Sequence, residues 1–244
     1  MSDQKKAVVL GVGVAQGVGG TLCKRFAADG HHVFIGGRTE RKIEAIADSI
    51  AADGGNATPV LTDATNEQSV VSLFDAIQTS GPGQLDLAIY NAGNNTPGKI
   101  IDMEADYFEA AWRIGCFGAF LFGREAVKRM LPKGGALLFT GASSSMRGRA
   151  GFGAFTAAKG GLRNFAQAMS KEYGPEGIHV GHVVVDGGID GERLRTYFAD
   201  RVAAMDDDQL VDLPGIADAF SYLYRQQPRS WTFEVDLRTY REQW

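Results

Sequence analysis

An apolar run that breaks up into glycines constrains the start of this chain. In Ala7-Val-Val-Leu-Gly-Val-Gly-Val-Ala-Gln-Gly-Val-Gly19, Val8, Val9 and Leu10 suit a buried parallel strand, and Val18, Leu22 and Phe26 then recur at helical spacing. Gly11, Gly13, Gly17 and Gly19 lie between them. Glycine tolerates positive φ and lets a phosphate approach the backbone, where unpaired N–H groups and the positive end of the helix dipole hold an anion. The same residues also fit a tight strand-to-helix turn that binds nothing, because the general spacing G-x-G-x-x-G fails at Gln16.

The alternation continues. His32 to Gly36 reads as a strand, Ile43, Ile46 and Ile50 mark a helix, Thr58 to Leu61 is a strand, and Val70, Leu73, Phe74 and Ile77 mark another helix. Leu85 to Tyr90 follows as a fourth strand, then helices over Asp106 to Ala111 and Arg113 to Leu131, stopped by Pro132 and Gly134-Gly135. Ala136 to Phe139 is a fifth strand. A long helix from Gly153 to Tyr173 carries Phe155, Leu162, Phe165 and Met169 on one stripe, and Ile178 to Val185 is a sixth strand. Glu192 to Met205 is weakly helical, Asp206 to Asp208 is an acidic turn, Ile216, Phe220 and Leu223 restore a helix that Pro228 ends, and Trp231 to Leu237 alternates as a last strand. Such units need right-handed crossovers, hence an α/β fold: a mostly parallel, doubly wound sheet with helices on both faces and ligands at the carboxyl ends of its strands.

The 244 residues suit one domain, 1–244, with 189–213 as a candidate lid. A balance of 25 basic and 29 acidic residues, net charge -4, offers no basic block for nucleic acid. No apolar run spans a bilayer and the N-terminus does not resemble a signal peptide, so a soluble cytoplasmic protein without membrane partners is expected. Cys23 and Cys116 fall in helices as small core residues, and His31, His32, His179 and His182 do not group as metal ligands.

Read as Gly13-x-x-x-Gly17-x-Gly19, with Asn91-Ala-Gly93, Asp63 and Phe155-x-x-x-Lys159, the chain resembles the short-chain dehydrogenase/reductase family over nearly its whole length. The resemblance implies a seven-stranded Rossmann-like sheet of order 3-2-1-4-5-6-7, a nicotinamide cofactor across the switch point, and a homodimer or homotetramer. It places Gly13, Gly17, Val18 and Gly19 at the pyrophosphate, Asp63 and Ala64 at the adenine, and Asn91, Ala92 and Gly93 in the cofactor site, with Asn91 stabilising the central strands, Gly93 close to the adenosine ribose and Lys159 at the nicotinamide ribose. Asp63 also reads as a turn or capping residue, and Lys159 as a helix-surface lysine. After the second strand, Gly37-Arg38 stands where the family uses an acidic residue for NAD. A guanidinium suits a 2'-phosphate, which favours NADP(H) over NAD(H), although Arg38 also reads as a surface residue beside Glu40.

The catalytic positions match poorly. Where the resemblance implies a proton-carrying Tyr, an orienting Ser and a relay Asn, this chain has Phe155, Ala142 and Gly115. Phe155 has no hydroxyl, and removing a general acid forfeits about 10²–10⁴-fold in rate. Ser143 lies one residue from the Ser position and otherwise reads as part of a polar loop. Asp186-Gly-Gly188 replaces the family's Pro-Gly, and Gly191 stands where a Thr is frequent. Asp186 is thus a candidate to pair with Lys159, to bind the carboxamide or to act as a substitute acid, with a plain turn role as the alternative. Arg147 and Arg149 beside the cleft favour an anionic substrate or are solvated loop residues. Two functions follow: an NADP-dependent oxidoreductase of carbonyls, alcohols or activated alkenes with Lys159, Ser143 and Asp186 as candidate catalytic residues, or a catalytically inactive cofactor-binding or regulatory protein.

Overall fold

β1, Lys6–Leu10, is buried throughout, and its side chains alternate between two cores. Val8 and Leu10 join one hydrophobic cluster, while Ala7 and Val9 join the other. β4, Leu85–Tyr90, divides in the same way, with Ala88 and Tyr90 on one face and Leu87 and Ile89 on the other. Period-two alternation with both faces apolar identifies central strands covered by helices on both sides, each fully buried Leu or Ile contributing about 1.5–3 kcal/mol.

The structure is a computed structural model and describes residues 4–131 and 133–242, without the side chains of Arg201 and Asp207. The expected helix stop at Pro132 lies outside the described residues. The remaining elements are α1 (Val18–Ala28), β2 (His32–Gly37), α2 (Glu40–Ala52), β3 (Asn56–Leu61), α3 (Glu67–Thr79), α4 (Ala105–Trp112), α5 (Gly118–Met130), β5 (Gly135–Ala142), α6 (Gly153–Tyr173), β6 (Ile178–Val185), β7 (Gly188–Ile189), α7 (Glu192–Tyr197), α8 (Ala199–Ala203), β8 (Leu210–Val211), α9 (Leu213–Tyr224) and β9 (Glu234–Leu237). Seven strands form one parallel sheet in the order β3-β2-β1-β4-β5-β6-β9, so the expected fold and strand order hold, with β9 as the seventh strand.

Four local expectations change. β5 runs to Ala142 rather than ending at Phe139, because its register with β6 continues to Ala142↔Val185. The expected helix from Arg113 opens as a π-turn, Arg113–Phe117, inside which the Tyr90 hydroxyl donates to the Ile114 carbonyl at 2.6 Å. Trp231 to Phe233 precede the last strand, which begins at Glu234. Glu192 to Met205 divides into α7 and α8, and the candidate lid is bounded by a small parallel pair, β7 with β8, that the sequence pattern did not indicate. Among the described residues no helix is long and apolar enough to cross a membrane.

Candidate cofactor and active site

All seven strands of the main sheet are parallel, so their carboxyl ends share one edge. In spatial order this edge carries Asp63 after β3, Arg38 after β2, the glycine turn after β1, Asn91–Gly93 after β4, Ser143–Arg147 after β5, Asp186 after β6 and Arg238 after β9.

The glycine turn is built by close approach. Gly11 has φ +98°, and a Cβ there would lie 2.2 Å from the Ala92 nitrogen, so the segment after β4 packs directly on the turn. A Cβ on Gly19 would stand 3.2 Å from Asn91 Nδ2, and one on Gly20 only 2.5 Å from the Ala15 carbonyl. Around Gly13, by contrast, nothing lies within 4 Å of an added Cβ. Gly17 caps α1 without a side-chain hydrogen bond, and the first turn of that helix holds no acidic residue. The first N–H groups of α1 are therefore left for an external acceptor, whereas α3 and α9 are capped by Asn66 and Asp212. These features fit a phosphate group.

Asn91 is the hub of the edge. Its Nδ2 donates to the Gly11 carbonyl at 3.0 Å, its Oδ1 accepts from Thr140 Oγ1 at 2.9 Å, and the Thr140 carbonyl accepts from Lys159 Nζ at 2.7 Å. One chain of hydrogen bonds thus runs from the glycine turn to Lys159. Lys159 is 4% exposed, which removes the surface-lysine alternative. Burial brings its ammonium down to about 8. A Cβ on Gly93 would stand 3.5 Å from Lys159 Nζ, and the Phe155 ring centroid lies 5.9 Å from that nitrogen. Thr140 had no sequence signal: in the pattern it is an unremarked position just beyond the expected end of β5.

At the other end, Asp63 is exposed and folds an Asx turn, with Oδ1 accepting from the Thr65 N–H at 2.9 Å and Thr65 Oγ1 at 2.8 Å. Oδ2 carries no bond among the described residues. Ala64 is buried, and a Cβ on Gly118 would meet its carbonyl at 2.7 Å. Arg38 is exposed and makes no ion pair with Glu40 or any other described residue.

The candidate catalytic residues and their neighbours are arranged differently. A Cβ on Gly115 would lie 2.6 Å from the Ala158 Cβ, so α6 packs where a longer side chain would begin. Ala142 ends β5, and its N–H donates to Ser145 Oγ at 3.1 Å. Ser143 is half-buried, and its carbonyl accepts from the N–H groups of Met146 and Arg147 at 2.9 and 3.1 Å, which makes Ser143–Ser145 a helical turn rather than an open loop. Asp186, almost fully buried, does not pair with Lys159. Arg147 Nη2 donates to both of its oxygens, at 3.1 and 3.0 Å, and Arg238 Nε lies 3.5 Å from Oδ2. This corrects the pairing expected with Lys159 and commits the carboxylate to two guanidiniums. Arg149 lies over the Phe152 ring at 5.0 Å. The Gly191–Glu192 step returns to the glycine turn, where the Glu192 N–H donates to the Gln16 carbonyl at 2.8 Å.

A family model described as short chain dehydrogenase matches residues 7–201. The uncharacterized oxidoreductase YxbG of Bacillus subtilis is 32% identical over 185 residues, 74% of this chain, and the match spans 66% of that relative, just under two thirds. A short-chain dehydrogenase from Rhodopseudomonas palustris superposes with a TM-score of 0.81 at 32% identity, covering 97% of this chain and 99% of that one. An alcohol dehydrogenase from Thermococcus sibiricus, complexed with 5-hydroxy-NADP, shares the fold with a TM-score of 0.85 at 18% identity, covering 98% of this chain and 99% of that one. The chain belongs to the short-chain dehydrogenase/reductase family.

Proposed function

We propose that this chain is an NADP(H)-dependent oxidoreductase acting on a carbonyl, alcohol or activated alkene, with a proton route that does without the usual Tyr. The observation that carries the reading is the ordered edge: Asp63, Arg38, the uncapped glycine turn, Asn91–Gly93 and Lys159 follow one another along adjacent strands. Gly13, Gly17, Val18 and Gly19 hold the pyrophosphate, Asp63 with Ala64 receives the adenine, and Arg38, with no internal ion pair, meets the 2'-phosphate. The NADP analogue in the Thermococcus sibiricus structure supports a nicotinamide dinucleotide of this kind. When bound, the nicotinamide supplies or accepts hydride.

Phe155, Ala142 and Gly115 stand at the family's Tyr, Ser and Asn positions and supply no polar side chain. The acid that remains at the strand edge is Lys159: with one N–H on the Thr140 carbonyl, its ammonium, at about 8, is able to give a proton to the oxygen of a reduced carbonyl near neutral pH while its third N–H holds a ribose hydroxyl. Ser143, half-buried just after β5, supplies the hydroxyl that orients that oxygen. Asp186 serves by holding Arg147. Segment 189–213 closes over the turn as a lid, anchored by the Glu192–Gln16 bond. Exposed Phe108, Trp112 and Phe120 on α4 and α5 give an apolar face that a second copy covers in a homodimer or homotetramer of a cytoplasmic enzyme.

A second reading, a cofactor-binding or regulatory protein without turnover, is favoured by Ala158 filling the space beside Gly115. The two separate in a screen of NADPH oxidation and NADP reduction across carbonyls, enones and alcohols. Carbonyl reduction that falls as pH rises past about 8, and turnover that vanishes in Lys159→Met, support the enzyme. Saturated nucleotide binding with no turnover, and activity gained only in Phe155→Tyr with Ala142→Ser, supports the regulatory protein.

A further inference from the structure

Lys159 meets the sheet edge at Thr140 of β5, and the next charged group along that edge, away from Arg38 and Asp63, is the Arg147–Asp186 pair bridging β5 and β6. If the dinucleotide runs from β3 to Lys159, this pair stands on the substrate side. Its construction is asymmetric. Asp186 is 3% exposed at its side chain and Arg147 44%, so the carboxylate is the buried support and the guanidinium the open face.

Both bonds to Asp186 leave from Nη2 alone. Nε and Nη1 of Arg147 carry no partner among the described residues, so the Nη1 end of the guanidinium keeps its N–H donors for a second carboxylate. The guanidinium is also fixed in place. Its backbone N–H closes the turn begun at Ser143, and Asp186 is in turn held by Arg238, 3.5 Å from Oδ2. An arginine held from behind by a buried carboxylate loses little freedom when it grips a ligand. Beside it in the chain Met146 is exposed, which suits a short hydrocarbon spacer.

We propose that Arg147 is the specificity-determining residue of the cleft and that the substrate is a carboxylate-bearing carbonyl or hydroxy compound, gripped through the free Nη1 of this guanidinium. This rests on the oxidoreductase reading for the chemistry, though not for the binding of the anion.

The test titrates pyruvate and levulinate, and the methyl ester of each, into the NADP-loaded protein by calorimetry, and follows NADPH oxidation with the same compounds. At least one acid is expected to bind about 10- to 100-fold more tightly than its ester. Arg147→Met removes that difference and leaves ester and NADP affinities unchanged. Arg147→Lys, which keeps a cation against Asp186 if the Met variant fails to fold, retains only part of the preference. Acid and ester binding equally, neither binding at all, or a preference that survives in both variants overturns the proposal. Acid preference without NADPH oxidation by any compound leaves the anion site standing and counts against the oxidoreductase reading; oxidation with esters and acids alike does the reverse.

Discussion

The two halves of the strand edge are built on different terms. On the β3-β2-β1-β4 side, two of the residues that match the family are also tied into the fold, Gly19 by Asn91 and Asn91 by Gly11 and Thr140, and Gly11 between them packs on Ala92. On the β5-β6 side the contacts are apolar or ionic: Ala158 packs against Gly115, Phe155 lies near Lys159, and Asp186 is paired with Arg147 and Arg238. A residue with both a packing role and a ligand role is hard to change, while one that serves only chemistry can be lost without cost to the fold. On the proposed reading, this is why the cofactor half matches the family pattern and the proton-handling half does not.

The largest effect that sharpens this contrast is steric. Gly11→Val places a side chain 2.2 Å from the Ala92 nitrogen at φ +98°, and a loss of about 3 kcal/mol or more in urea unfolding is expected. Ala142→Ser, on the other side, is expected to change stability by less than about 1 kcal/mol; equal losses would erase the distinction.

The next concerns the buried polar cluster under α6. Burial pushes His182 down to about 4 against the pull of Glu234, whose carboxylate lies 2.9 Å from Nδ1 and is held at 2.7 and 2.9 Å by Arg163. The unfolded chain takes up this proton near the usual 6.5, so the contribution is complete above that pH and is lost as pH falls towards 4, by up to about 3 kcal/mol. His182→Asn is expected to flatten the pH dependence of unfolding in that window; an unchanged slope would assign the acid sensitivity elsewhere.

Smaller still is the effect of the exposed ligand-facing groups. Arg38→Ser is expected to weaken NADPH about 10- to 100-fold and leave NADH nearly unchanged, with no effect on the melting temperature of the nucleotide-free protein. Equal loss for both nucleotides would remove the 2'-phosphate role from Arg38.

Much of the fold was legible because it is carried by local rules. β4, α6 and β6 fall on the residues expected, since apolar period and flanking glycines bound them on both sides. The π-turn at Arg113–Phe117 and the β7–β8 pair were not, because a hydroxyl from Tyr90 and a strand partner more than twenty residues away decide them. In the site, Gly13, Asn91 and Lys159 are marked by spacing. Thr140 and the Asp186–Arg147 pair are not, because which strand ends become neighbours depends on the order of the sheet. The structure also adds to readings that the sequence leaves open: Lys159 is buried rather than on the surface, and Arg147, though exposed, is paired with Asp186.

The central claim, that the cofactor half is complete while the proton-handling half is altered, is tested most directly by calorimetric titration of the protein with NADPH and with NADH, beside Phe155→Tyr with Ala142→Ser. NADPH is expected to bind wild type and double variant alike, at least about 10-fold more tightly than NADH. No heat from either nucleotide, or binding that appears only when the Tyr and Ser are introduced, would contradict it.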